Sequence, residues 1–175
     1  EKIYERLGTK FDFYFFESES GLIGLEIVEK NKKVFKESDG AIVFHGEEFD
    51  KTLHTRVFVT KEGLPTYEAK ELGLAKIKDE KYSHDISIVI TGSEVKDYFR
   101  VVHKAMEKVL PELARKTKHI PHGMLRLLTG KMSSRTGDVI SAGNLLNDVR
   151  ERVLEKMKNS DLPEKEKIAE QIAVG

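Results

Sequence analysis

The amino-acid sequence predicts an α/β fold in which a parallel sheet is preceded by a smaller α+β segment. Three observations carry that prediction. From Thr55 onward, short β-branched runs alternate with amphipathic, helix-length segments, the pattern of parallel strands joined by right-handed crossovers. Before Thr55 the apolar runs are shorter and are broken by turn signals at Asn31-Lys32-Lys33 and Asp39-Gly40. The chain has 175 residues, enough to bury a sizeable core.

The elements follow in order. Phe11, Phe13 and Phe15 alternate with Asp12 and Tyr14, which predicts an aromatic strand packed on at least one face. Leu22, Ile23, Leu25, Ile27 and Val28 stand where a short amphipathic helix would start, after Ser20-Gly21. Ala41-Ile42-Val43-Phe44 is a small strand, and Arg56 to Thr60 a compact apolar one closed by Glu62-Gly63-Leu64-Pro65. Thr66 can cap a helix from Tyr67 to about Ile77. Asp85 to Thr91 is the most strand-like run, ended by Gly92-Ser93. A helix with Val95, Phe99, Val102, Met106 and Val109 on one stripe comes next, and Pro111 kinks or restarts it. Gly123-Met124-Leu125-Arg126-Leu127-Leu128 is a third strand candidate. Two closing helices use Leu145, Leu146, Val149, Val153 and Met157, then Ile168 and Ile172 after Asp161-Leu162-Pro163.

Composition narrows the chemistry. Thirty Lys plus Arg balance thirty Asp plus Glu, which argues against a sequence-independent polyphosphate binder with a net basic surface. With no cysteine there is no disulfide framework, thiol catalysis or thiolate metal site. The longest apolar runs are far too short to span a bilayer, and no signal-peptide pattern opens the sequence. His119-x-x-His122 has a spacing seen in metal sites, but Pro121 interrupts any helix and no third ligand is near, so no metal site is expected.

The segment from Thr129 to Gly137 places Lys131, Arg135 and the hydroxyls of Ser133, Ser134 and Thr136 between two glycines. That mix suits a loop wrapping a polyphosphate, with backbone N–H groups and hydroxyls donating and cations offsetting charge. It is not a Walker loop, and an ordinary solvated loop is the competing reading. Lys131-Met132-Ser133-Ser134-Arg135 resembles the KMSKS motif of class I aminoacyl-tRNA synthetases, in the KMS-S/T-R-x-G form of the arginyl-tRNA synthetase family. Three further stretches resemble that family. Arg56 to Leu74 is similar to its T-x-Y-x-x-x-D/E segment, Val89 to Gly92 to the strand end that follows, and His122-Gly123-Met124 to the strand entering the motif loop. Ser134 stands where class I enzymes generally have lysine, and no His-Ile-Gly-His element occurs.

The resemblance implies the second half of a class I synthetase Rossmann-like parallel sheet, with an α+β insertion on its N-terminal side. It implies residues 1–54 as insertion, 55–142 as the catalytic half with the motif loop, and 143–175 as helices leading toward an anticodon-binding domain. It implies ATP-dependent activation of L-arginine and transfer to tRNA(Arg), with magnesium accompanying the ATP. Lys131, Ser133, Ser134 and Arg135 would be catalytic. Gly92, His122, Gly123, Met124, Lys131 and Met132 would bind ATP, although a structural role for His122 remains open. Tyr67 and Glu71, four apart on one helix face, and Glu94 would contact the arginine. Read without the resemblance, Glu71 would pair with a solvent-facing lysine such as Lys70 or Lys76. The chain begins at Glu1 without methionine and stops at Gly175. The expectation is therefore a piece of a longer, cytoplasmic, monomeric enzyme, inactive alone for want of the His-Ile-Gly-His element. The rival readings are another class I synthetase and a nucleotide- or tRNA-binding module without catalysis.

Overall fold

The computed structural model describes residues 2–123 and 141–175. By contacts, residues 14–123 form one compact unit, and residues 2–13 with 141–175 form another. The chain opens with α1 (Lys2–Arg6), which belongs to the smaller unit. The predicted aromatic strand does not form: residues 9–16 are irregular, and Phe11 meets Tyr4 edge-on at 4.9 Å. Alternation describes a strand only where a partner edge pairs with it, and no strand pairs with these residues among the described residues.

The larger unit is built on a helix pair, α2 (Glu17–Lys30) and α3 (Tyr67–Lys81). The α2 helix starts one turn before the predicted start, taking Ser20 and Gly21 inside it as buried residues. The reason is the contact with α3. A methyl group at Gly24 would lie 2.0 Å from the Ala69 carbonyl oxygen, and one at Gly73 would lie 2.0 Å from that of Ser20. Two helix backbones this close require residues without side chains at the crossing. Asn31 closes α2, its Nδ2 donating to the Ile27 carbonyl at 2.8 Å.

Strands β1 (Lys36–Ser38), β2 (Ala41–His45) and β3 (Thr55–Val59) form an antiparallel sheet in that order. The two-residue turn between β1 and β2 is Asp39-Gly40, both at positive φ (50° and 79°), the backbone a tight hairpin demands. The strand predicted at Arg56 is thus present, but it pairs antiparallel with β2 and not within a parallel sheet. Phe35, Phe44 and Phe58 are fully buried and mutually in contact, at 4.8–6.1 Å between ring centroids. Thr66 precedes α3 without capping it. Its hydroxyl instead donates to the Val57 and Phe58 carbonyls of β3, at 2.8 and 3.1 Å.

Parallel pairing occurs between β4 (Ser87–Gly92) and β5 (Thr117–His122), in register from Ser87↔Thr117 to Gly92↔His122. The connection contains α4 (Lys96–Val109), whose Phe99, Val102 and Met106 are buried as the stripe predicted, and α5 (Pro111–Lys116), which Pro111 restarts. The second parallel strand therefore precedes the predicted Gly123–Leu128 run, which from Met124 onward lies outside the described residues. Thr117 and Lys118 open β5 directly after α5. One face of the pair carries exposed Ile86, Ile88, Ile90 and Ile120.

In the smaller unit, Ser141 caps α6 (Ala142–Lys156), accepting the Asn144 N–H at 3.1 Å. The last helix is α7 (Lys165–Val174). Arg6 ties the three helices: its Nε and Nη2 donate to the two carboxylate oxygens of Glu170 at 2.5 and 3.0 Å, and its Nη1 to Asn147 at 2.8 Å. A fork of this kind fixes geometry as well as charge. It holds the Glu170 carboxyl below the usual carboxylate range.

Candidate functional site

The α3 helix carries the centre of the site. Tyr67, Glu71 and Lys78 fall within about 40° of one another at 100° per residue, while Gly73 lies on the opposite side against α2. One side of α3 thus secures the helix and the other presents polar groups.

Tyr67, Glu71 and Glu94 come together as predicted, around a hollow of about 360 Å³. Glu94 reaches it from the short turn after β4, beyond the carboxyl end of a parallel strand. Three polar lining residues were not foreseen, Arg56 on β3, Glu68 on α3 and Tyr98 on α4, and Val95 and Phe99 of the predicted apolar stripe also line the hollow. Glu68 is 7% exposed and accepts from Arg56 Nη1 at 3.2 Å; the same guanidinium lies 5.4 Å from the Tyr98 ring centroid. The i, i+4 spacing of Glu94 and Tyr98 could have found Tyr98. Arg56 with Glu68 left no such signal, because that contact joins a strand to a helix.

The electrostatics separate the carboxylates. Glu68 has its cation in Arg56. The lysines suggested as partners for Glu71 are engaged elsewhere, Lys70 with Glu17 at 2.7 Å and Lys76 with Glu80 at 3.8 Å. Glu71 makes no hydrogen bond or ion pair among the described residues. Burial pushes its carboxyl above the usual range, with Lys78 opposing and Glu17 reinforcing. Burial likewise lowers the Lys78 ammonium, which donates to Ser87 Oγ at 2.8 Å. The Tyr98 phenol is pushed up by burial and by Glu71 and Glu68, so it stays neutral and can donate. Tyr67 remains 64% exposed, with Lys70 Nζ 4.9 Å from its ring centroid. The hollow therefore offers two carboxylates, Glu71 and Glu94, that make no hydrogen bond or ion pair among the described residues, beside two aromatic rings, an arrangement suited to a planar cation.

Gly92 and His122, both predicted at the nucleotide, are register partners at the carboxyl ends of β4 and β5, with Gly123 next in the chain. His122 Nδ1 donates to the Gly123 carbonyl at 2.6 Å. His119 does not point with His122 toward a metal. It stacks on Phe99 at 4.1 Å, lies 2.8 Å from Thr91 Oγ1, and is lowered by burial. Among the described residues no group of three His, Cys, Asp or Glu side chains could hold a metal ion. Met124, Lys131, Met132, Ser133, Ser134 and Arg135 lie outside the described residues. No helix among the described residues is long and apolar enough to cross a membrane.

Comparisons with known proteins bear on this site. Residues 19–175 match the family model described as "tRNA synthetases class I (R), catalytic domain". The chain is 30% identical over 165 residues to the arginine–tRNA ligase of Borreliella burgdorferi, covering 90% of this chain and 28% of that protein. It is 30% identical over 178 residues to that of Clostridium perfringens, covering 99% of this chain and 31% of the relative. It thus spans less than a third of these relatives' length. Among solved structures, Thermus thermophilus arginyl-tRNA synthetase matches with a TM-score of 0.70 at 20% identity, over 98% of this chain and 36% of that one. The Plasmodium falciparum arginyl-tRNA synthetase matches with a TM-score of 0.62 at 17% identity, over 99% and 29%. At these identities the structural likeness establishes the fold.

Proposed function

This chain belongs to the family of class I tRNA synthetase (R) catalytic domains, and we propose that it supplies the amino-acid pocket and the motif loop of an arginine–tRNA ligase. The observation that carries the proposal is Glu71: half-buried, unpaired among the described residues, and lining the hollow beyond β4 together with Tyr67 and Tyr98. A guanidinium brings the charge and the planar donors that such a carboxylate lacks. Arg56 keeps Glu68 neutralised, which leaves Glu71 and Glu94 to receive the cation while Tyr67 bounds the ligand.

In the proposed reaction the arginine carboxylate attacks the α-phosphorus of ATP, forming arginyl-adenylate and releasing pyrophosphate; a ribose hydroxyl of tRNA(Arg) then attacks the arginyl carbonyl, forming the ester and releasing AMP. Such steps rest mostly on positioning and charge stabilisation. Lys131 and Arg135 offset charge developing on the pyrophosphate, and Ser133 and Ser134 donate to phosphate oxygens. Gly92, His122, Gly123, Met124 and Met132 border the nucleotide. The described residues offer no cage for a metal, so magnesium is proposed to enter as the counter-ion of ATP, held mainly by phosphate oxygens.

The test is Glu71→Gln in the intact enzyme. Losing a charged hydrogen bond costs about 1.5–3 kcal/mol, so the arginine KM in ATP–pyrophosphate exchange rises about 10- to 150-fold. A change confined to ATP binding refutes the assignment.

A further inference from the structure

Lys96, Arg100, Lys104 and Lys108 recur every fourth residue of α4, forming a stripe opposite the buried Val101 and Ala105 side chains' neighbours Val102 and Met106. The stripe runs about 18 Å, with successive cations about 6 Å apart along the axis. A hollow of about 350 Å³ opens against it, with Lys96, Arg100 and Lys104 on one wall, Asp50 on another, and His119 and Pro121 contributed by β5. Asp50 does not cancel these charges by direct pairing. Its Oδ1 accepts the Thr52 N–H and hydroxyl at 2.8 and 2.7 Å, while Arg100 Nη2 donates to Thr52 Oγ1 at 2.5 Å.

The cations are available to a ligand. Lys96 makes no hydrogen bond or ion pair among the described residues. Arg100–Asp97 at 3.6 Å and Lys104–Glu107 at 2.5 Å are surface pairs three residues apart, of the kind a stronger anion displaces. Lys108 lies 4.6 Å from the Phe49 ring centroid. His119, lowered by burial, adds no charge of its own near neutrality. The 30:30 charge balance of the whole chain conceals this local stripe.

We infer that the cation stripe of α4 and the hollow beside it are a docking surface for the phosphate backbone of RNA. A repeating anion matches a repeating row of cations, whereas the phosphates of one nucleotide would meet only part of an 18 Å row (about that length by helix rise). The inference rests on the proposed function for its expectation of an RNA partner, and it assigns that partner a surface separate from the Glu71 hollow.

The experiment replaces Lys96, Arg100 and Lys104 with Gln together in the intact enzyme and follows tRNA affinity by fluorescence anisotropy across salt concentrations. Three lost phosphate contacts reduce the magnitude of the log K against log salt slope by about 2.1–2.7. Lys96→Gln alone, at an exposed and unpaired position, reduces it by about 0.7–0.9. Lys32→Gln with Lys33→Gln, in the turn after α2, removes two charges and leaves the slope unchanged. An unchanged slope in the α4 variants overturns the inference. So does a loss of ATP affinity with the RNA slope intact, which would assign the hollow to the nucleotide. If the slope falls in an enzyme that fails to activate arginine, the surface stands and the proposed function does not.

Discussion

Replacing Gly73 with Ala tests the geometry on which the site rests. The new methyl carbon would lie 2.0 Å from the Ser20 carbonyl oxygen and 2.7 Å from the Gly24 nitrogen, both backbone atoms that no rotamer change can move. To restore even a 3.0 Å contact, α2 and α3 must part by about 1 Å. Overpacking of this kind costs about 1–3 kcal/mol, and alanine returns at most about 1 kcal/mol of helix propensity. The net loss is up to about 2 kcal/mol if the strain is at the upper end, or about 4–8 °C at about 2–4 °C per kcal/mol for a chain of this size. Thermal unfolding followed by circular dichroism measures it. Gly24→Ala meets the Ala69 carbonyl oxygen at the same 2.0 Å, so the double variant should cost less than the sum, since helices already parted admit a second methyl more easily. A melting temperature raised by Gly73→Ala would refute the close approach. Strict additivity would refute the shared crossing.

Two further outcomes follow from the site. The Glu71 carboxyl is raised above the usual carboxylate range and guanidinium binding needs the anion, so binding releases a proton only where the pH lies near or below that raised pKa. Arginine affinity is therefore constant above the raised pKa and falls as pH drops through it. Lys78→Met removes the charge that opposes this rise and moves the fall to higher pH; affinity held constant down to the ordinary carboxylate range contradicts the assignment. Lys131→Ala lowers the rate of arginine-dependent ATP–pyrophosphate exchange far more than it weakens arginine binding, and an unchanged exchange rate removes Lys131 from the reaction.

What could be read in advance follows from how local each signal is. The Asp39-Gly40 turn, the α4 stripe and the restart at Pro111 depend on neighbouring residues, and all three are present. Pairing is not local. Thr55–Val59 reads as a strand, but its antiparallel partner is chosen by the hairpin before it. The Phe11-Phe13-Phe15 alternation reads as a strand and is none. Thr66 carries the right side chain for a cap and spends it on β3 carbonyls. Within the site, Tyr67 and Glu71 were legible because one helix face holds both. Arg56 and Glu68 meet only through folding, across eleven intervening residues.

The two sides of α3 have an evolutionary consequence. Tyr67 and Glu71 face the hollow, while Gly73 meets α2 from behind. A substitution that shifts α3 at this crossing would carry Tyr67 and Glu71 with it, so selection acting on the crossing acts on the hollow as well. The hollow thus answers, in part, to two residues, Gly24 and Gly73, that have no side chain and do not line it.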